Sequence, residues 1–322
     1  MTSPPITAHQ TENLIDSSQK FNPTRLVDRI FKVLSLLLAL SIGFVLLWIT
    51  YSLLGIAFPA IAQFNLGFLT SQAWDPVQDL YGALPQIYGT IVSSIIALLF
   101  AVPLGVGVAI FLSENFLPQK ILTPIAFLVE LLAAIPSVVY GMWGIFVFIP
   151  FILPVLQFIH QLFGWIPLFS TSPSTRQMFA TAMVLAIMIL PTIIAISRDT
   201  MVSLSPALRQ GAYGLGATRW ETITRVLVPA GLSGIIGSVM LALGRALGET
   251  MAAAMLIGNA NRINVSLFAP ASTISALIAN QFGEASGLQR SALFYQALIL
   301  MIITLIVNML AEVIVSRFQQ VE

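Results

Sequence analysis

The chain has 322 residues, of which 57% are hydrophobic and only 8% charged, with a mean hydropathy of +0.93. Its 14 basic and 13 acidic side chains leave a net charge of +1. A soluble domain ordinarily carries about 25% charged residues, so disorder, nucleic-acid binding and a water-soluble enzyme are excluded and a polytopic membrane protein is left. Cysteine is absent, which removes disulfides, thiolate zinc sites and a cysteine nucleophile. His9 and His160 stand far apart, so no histidine metal site is expected either.

Residues 1–22 form a polar cytoplasmic tail with Pro4 and Pro5. It is not expected to be a cleaved leader, because the apolar run after it is too long and lacks a small-residue cleavage site. A membrane crossing takes about 20 apolar residues. The first such run, 33–57, lies in a segment 23–60, and Lys20, Arg25, Arg29 and Lys32 before it should remain in the cytoplasm. The outer connection 58–88 holds Trp74, Asp75, Asp79 and Tyr81 and no basic residue. It reads equally as an interfacial aromatic belt with an acidic turn or as a docking surface for an external partner.

The second and third spans are expected at 89–112 and 121–149, and the fourth at 178–196. Pro103, Pro136 and Pro191 interrupt them and free backbone carbonyls. Glu130 lies at a depth from which it could reach a charge on a facing helix, with Ser137 two turns further on. The apolar stretch 151–169 contains Pro154, Gly164 and Pro167 and reads as a loop with a short interfacial or re-entrant helix.

The cytoplasmic segment 203–229 is amphipathic. Pro206 suits a helix start, Gly214 and Gly216 a helix end. Thr218 followed by Glu221 has capping-box spacing and opens a second short helix that runs to Pro229. The result is a helix–glycine–helix elbow, either lying on the headgroups or fitting a groove on a cytoplasmic partner.

The fifth span, 231–257, carries Arg245 and Glu249 near mid-bilayer. As i and i+4 neighbours they could pair, with Glu130 as a third member. Gly237, Leu241, Gly244 and Gly248 form a smooth stripe beside them. A structural ion pair and a charged site on a polar path are both open, and intramembrane charges favour the second. The sixth span is 292–315, with Glu312 near its inner end. With both termini inside, ten basic residues fall in cytoplasmic segments and three, Arg176, Arg262 and Arg290, outside.

Lys20, Lys32 and Lys120 follow Gln19, Phe31 and Gln119, so the chain has no Gly-Lys-Ser/Thr phosphate loop, and any driving ATP must be bound by another chain. A mid-membrane arginine suits an oxyanion such as phosphate or sulfate through its planar fork.

The elbow resembles the EAA loop of ABC-importer permeases, E-A-A-x3-G-x9-I-x-L-P. The pattern falls on Gln210, Gly211, Ala212, Gly216, Val226, Val228 and Pro229, with glutamate replaced by Gln210. The strings GALPQIYGT (82–90), AVPLGVGVAIFLSE (101–114), ELLAAIPSVVYGMWG (130–144), GRALGETMAA (244–253) and SLFAPASTISALIANQF (266–282) are similar to those of C-type permease subunits of phosphate-specific ABC importers. The likeness covers roughly residues 60–315.

That resemblance implies an all-α fold with six transmembrane helices, in which a type I (MetI-like) importer core at 85–315 follows one peripheral first helix. It implies a second related permease, two ATPase subunits holding ATP and magnesium, and an external phosphate-binding protein, in a bacterial inner membrane. The chain would bind no cofactor and catalyse no hydrolysis. Arg245, Glu249, Glu130 and Ser137 are the expected substrate-path residues. Gln210, Gly211, Ala212, Gly216 and Pro229 are those expected to couple to the ATPase. Sulfate or molybdate as substrate, an ATP-independent anion transporter, and an added role reporting phosphate status stand as alternatives.

Overall fold

The structure, a computed structural model, describes residues 23–114 and 116–319, with side chains over 27–114 and 116–313. The polar tail and the side chains of Lys20, Arg25 and Arg317 lie outside the described residues. Two compact units are present, Met1–Ser52 and Leu53–Glu322. Helix α1, Pro23–Phe64, begins in the first and ends in the second. Over residues 33–49 it exposes apolar side chains on every side, as suits a helix solvated by lipid.

The second unit continues with α2, Gly67–Thr70, and a two-residue-per-strand antiparallel hairpin of β1, Trp74–Asp75, and β2, Leu80–Tyr81. The long helices α3, Leu84–Ser113, and α7, Met178–Ser203, pack together most extensively. Small residues make that approach possible: a Cβ on Gly105 would lie 2.8 Å from Ile193 Cγ2. Both helices run unbroken through Pro103 and Pro191. Helix α10, Leu232–Gly248, packs against α3, α7 and α13, Gly287–Gln319. The central core joins Ala97 and Ala101 of α3, Leu185, Met188, Ile189 and Ile193 of α7, and Ala242 and Ala246 of α10.

Among the described residues five helices are long and apolar enough to cross a membrane, and a sixth crossing is counted if Arg219–Ala230 and Leu232–Gly248, bent by 68°, are one span. The third expected span differs. Helix α4, Gln119–Ala133, stops before Pro136, and a new helix starts at Ser137. Pro136 has no N–H to give and pushes Ile135 out of helical geometry. The stretch expected to be a loop at 151–169 is helical to Phe163: α5, Ser137–Trp143, passes through a π turn at Gly144–Phe148 into α6, Ile149–Phe163, which carries Pro154. In hydrocarbon an opened helix leaves unpaired backbone groups, and here the helix continues through Pro154 without ending. Pro167 begins only a short 3-10 turn, Pro167–Phe169.

The fifth span is broken too. α10 ends at Gly248, Glu249 is extended at φ −65° and ψ 123°, and α11, Met251–Leu256, follows. Helix α12, Ile274–Gln281, buried over its first turn, packs against α11 and α13.

Candidate functional site

Arg245 sits in the last turn of α10 and projects into an opening of about 580 Å³ lined by Thr192, Gly237, Met240, Leu241, Gly244 and Asn308. Its Nη1 donates to Thr192 Oγ1 at 3.3 Å. Gly237 and Gly244 have no atom within 4 Å of a notional Cβ, so the glycine stripe keeps this wall open. Among the described residues no carboxylate forms an ion pair with Arg245.

The expected Arg245–Glu249 pair is therefore not formed. Because the helix ends between them, the i and i+4 relation is lost. Glu249 Oε1 accepts the Ala252 N–H at 3.0 Å, and Ser275 Oγ of α12 donates to the Glu249 carbonyl at 2.7 Å. These two bonds satisfy backbone groups that the break would leave unpaired. Glu130 does not reach Arg245 either. It faces Arg198 of α7 at 3.7 Å, in a second cavity of about 410 Å³ with Ser113, Gln119 and Thr123. Ser137 is half-buried in the first turn of α5 and is not among the residues lining the Arg245 opening. Thr192 and Asn308 were not singled out from sequence. Thr192 follows Pro191, and Asn308 is one of two amides, with Gln296, in an apolar span, the two signals that could have found them.

The elbow forms as its sequence indicates. Helix α8, Pro206–Gly214, is capped by Ser205. Gly216 is left-handed at φ +84°, the Gly216 N–H donates to the Tyr213 carbonyl and the Ala217 N–H to that of Ala212, both at 3.0 Å. This is a glycine-terminated helix end. Helix α9, Arg219–Thr222, has the capping box: Thr218 N–H donates to Glu221 Oε2 at 2.9 Å and Thr218 Oγ1 accepts the Glu221 N–H. The Thr218 backbone N–H, and then its hydroxyl, hold the Glu221 carboxyl below the usual glutamate pKa. A π turn, Ile223–Leu227, and the turn Val228–Ala230 lead into α10. Ala212 is buried, whereas Gln210, Gly211, Gly216 and Pro229 are exposed. So are Leu208, Tyr213, Leu215 at 92% and Trp220 at 67%, an apolar face uncovered within this chain.

The inner attachment of the elbow was not anticipated. Glu114, which closes α3, is only 6% exposed. Its carboxylate accepts Arg209 Nη2 at 2.8 Å and Nε at 3.2 Å, and Arg209 also donates to the carbonyls of Met201 and Leu204. Arg219 Nη2 donates to the Glu114 carbonyl, and its guanidinium lies 3.9 Å over the Phe116 ring.

On the opposite side, Trp74 Nε1 donates to Gln281 Oε1 at 2.7 Å and packs edge-on against the buried Tyr81. The hairpin aromatics thus pin this turn to the end of α12, leaving Val77 at the exposed tip.

Residues 101–320 match the family described as binding-protein-dependent transport system inner membrane component. The chain is 47% identical to the phosphate transport system permease protein PstC of Mesorhizobium japonicum over 298 residues, 91% of each chain. It is 44% identical to the protein of that name from Haemophilus influenzae over 312 residues, 95% of this chain and 99% of the relative. A bacterial ABC transporter involved in the import of the acidic polysaccharide alginate has a chain of similar fold, with a TM-score of 0.58 and 19% identity over 91% of this chain and 99% of that one.

Proposed function

The chain belongs to the binding-protein-dependent transport system inner membrane components, multi-pass permeases of ABC importers, and from that premise we propose that it is a permease subunit for inorganic phosphate. The observation that carries the substrate class is Arg245: a guanidinium half-buried in an opening of about 580 Å³, bonded to one hydroxyl and no carboxylate among the described residues. A cation so placed attracts an anion and offers it a planar donor fork. The 47% identity to a phosphate permease selects phosphate among oxyanions.

In this reading residues 85–315 form half of the path and a second related permease the other half. One of two ATPase subunits docks on the exposed face around Leu215 and Trp220, with residues 203–229 as the coupling segment, and the other docks on the second permease. An external phosphate-binding protein docks on the opposite face, and both chain termini are cytoplasmic. Arg245, Thr192 and Asn308 contact the passing anion. Glu249 holds the break between α10 and α11, and Glu130 meets the anion with Arg198 in the second cavity. Hydrolysis belongs to the ATPase chains.

The test is transport by the purified complex in liposomes, with ATP supplied on the ATPase side and phosphate, sulfate or molybdate offered with the binding protein. ATP-dependent uptake of phosphate in preference to both others is expected. Uptake of phosphate that persists without ATP, or a preference for sulfate or molybdate, rejects the reading.

A further inference from the structure

The elbow 203–229 is joined through the chain to α7 before it and α10 after it. It has no chain connection to α3, although α3 packs along both of those helices. Glu114 makes that missing connection. One arginine from each elbow helix ends on it, Arg209 of α8 on its carboxylate and Arg219 at the start of α9 on its carbonyl. We propose that Glu114 is a positioning residue that makes the elbow, α3 and the inner end of α7 move as one body, so that a push on the elbow reaches the helices around Arg245. This inference rests on the permease reading above.

The geometry suits a stiff link. The Arg209 fork engages the carboxylate through Nη2 at 2.8 Å and Nε at 3.2 Å. Its other donations go to the Leu204 carbonyl at 3.2 Å and the Met201 carbonyl at 2.8 Å, where α7 runs out of helical partners. One side chain thus ties three elements. Exposed ion pairs contribute little and flex, but this carboxylate is buried, and a buried charge that loses its partner is strongly disfavoured, so the link resists opening. Arg219, stacked on Phe116 just beyond α3, fixes the second helix to the same point and prevents the elbow from pivoting about Arg209 alone. A lysine could supply neither the fork nor the stacked plane.

The test compares ATP hydrolysed and phosphate moved by the complete complex in liposomes. Glu114→Gln removes the charge and keeps the shape. It is expected to assemble and hydrolyse ATP at near the parental rate while uptake drops roughly fivefold or more, a coupling loss of the size such networks show. ATP consumed per phosphate rises by the same factor. Arg209→Lys keeps the charge without the fork and should fall between parent and Glu114→Gln, and it carries the same test if Glu114→Gln fails to assemble. An unchanged ratio of ATP to phosphate in these variants overturns the proposal, whether both rates stay parental or both fall together. A parental complex that moves sulfate or molybdate instead rejects the phosphate reading, while the ratio measured with that substrate still decides the role of Glu114.

Discussion

Arg245 and Glu249 lie four residues apart and do not meet: Arg245 donates to Thr192 on α7, while Glu249 turns back to accept the Ala252 N–H at 3.0 Å. Gly248 ends the helix between them. The positive charge is left facing an opening, and the negative charge is spent on holding a break in the backbone. This division of roles gives the two residues different expected phenotypes.

Arg245→Gln should leave the complex assembled and lower phosphate uptake by about 10- to 100-fold, the loss of one charge-assisted hydrogen bond to a bound anion. Arg245→Lys should recover part of it, since a point charge remains without the fork. Initial uptake at matched membrane abundance is the measurement. Parental uptake by Arg245→Gln would remove this residue from the path.

Glu249→Gln keeps an oxygen to accept the Ala252 N–H and should be mild, whereas Glu249→Ala loses a helix cap and should destabilise the protein by about 1 kcal/mol. Thermal unfolding in detergent separates them. Exchanging the two charges, Arg245→Glu with Glu249→Arg, should not restore uptake, because there is no ion pair to preserve and the cap is lost. Uptake near the parental rate in the exchanged protein would mean that the pair acts as one unit after all.

Ten basic residues in the expected inner segments against three in the outer ones predict a cytoplasmic amino terminus. A reporter fused at Thr7 should be inaccessible from outside intact cells. Labelling there without permeabilisation reverses the orientation and moves the 203–229 elbow away from any cytoplasmic ATPase.

The elbow was legible in sequence because its determinants are local: Pro206, Gly216 and the Thr218–Glu221 box each act within a few residues, and each appears where the pattern puts it. Arg245 was legible because a charge is conspicuous in an apolar span. What its neighbours do was not. Helical spacing pairs Arg245 with Glu249 only if the helix continues, and the break after Gly248 is stabilised by Ser275, which bonds Glu249 from 26 residues away in sequence. Glu130 and Arg198, and Glu114 and Arg209, are likewise brought together by packing between α3, α4, α7 and the elbow, which no local period encodes. Pro154 misled for the opposite reason: proline breaks helices in water, but here α6 carries it.

Gly216 offers the sharpest local test. Its φ of +84° lies in the left-handed region, and no atom stands within 4 Å of a notional Cβ, so a substitution there meets backbone strain and no collision. A β-branched residue in that conformation costs about 1–2 kcal/mol, which the elbow can relieve only by unwinding the Gly216 and Ala217 bonds that end α8. Gly216→Val should therefore tilt α8 against α9 and break the alignment of Arg209 and Arg219 on Glu114. Uptake should fall several-fold more than ATP hydrolysis, by the strain energy converted to a rate. Gly216→Asn, whose side chain tolerates the left-handed region, should retain most uptake. Measured side by side in the same complex, equal defects in Gly216→Val and Gly216→Asn would show that the bare absence of a side chain matters at this surface, and not the turn. Parental coupling in Gly216→Val would deny the turn any part in transmitting the push.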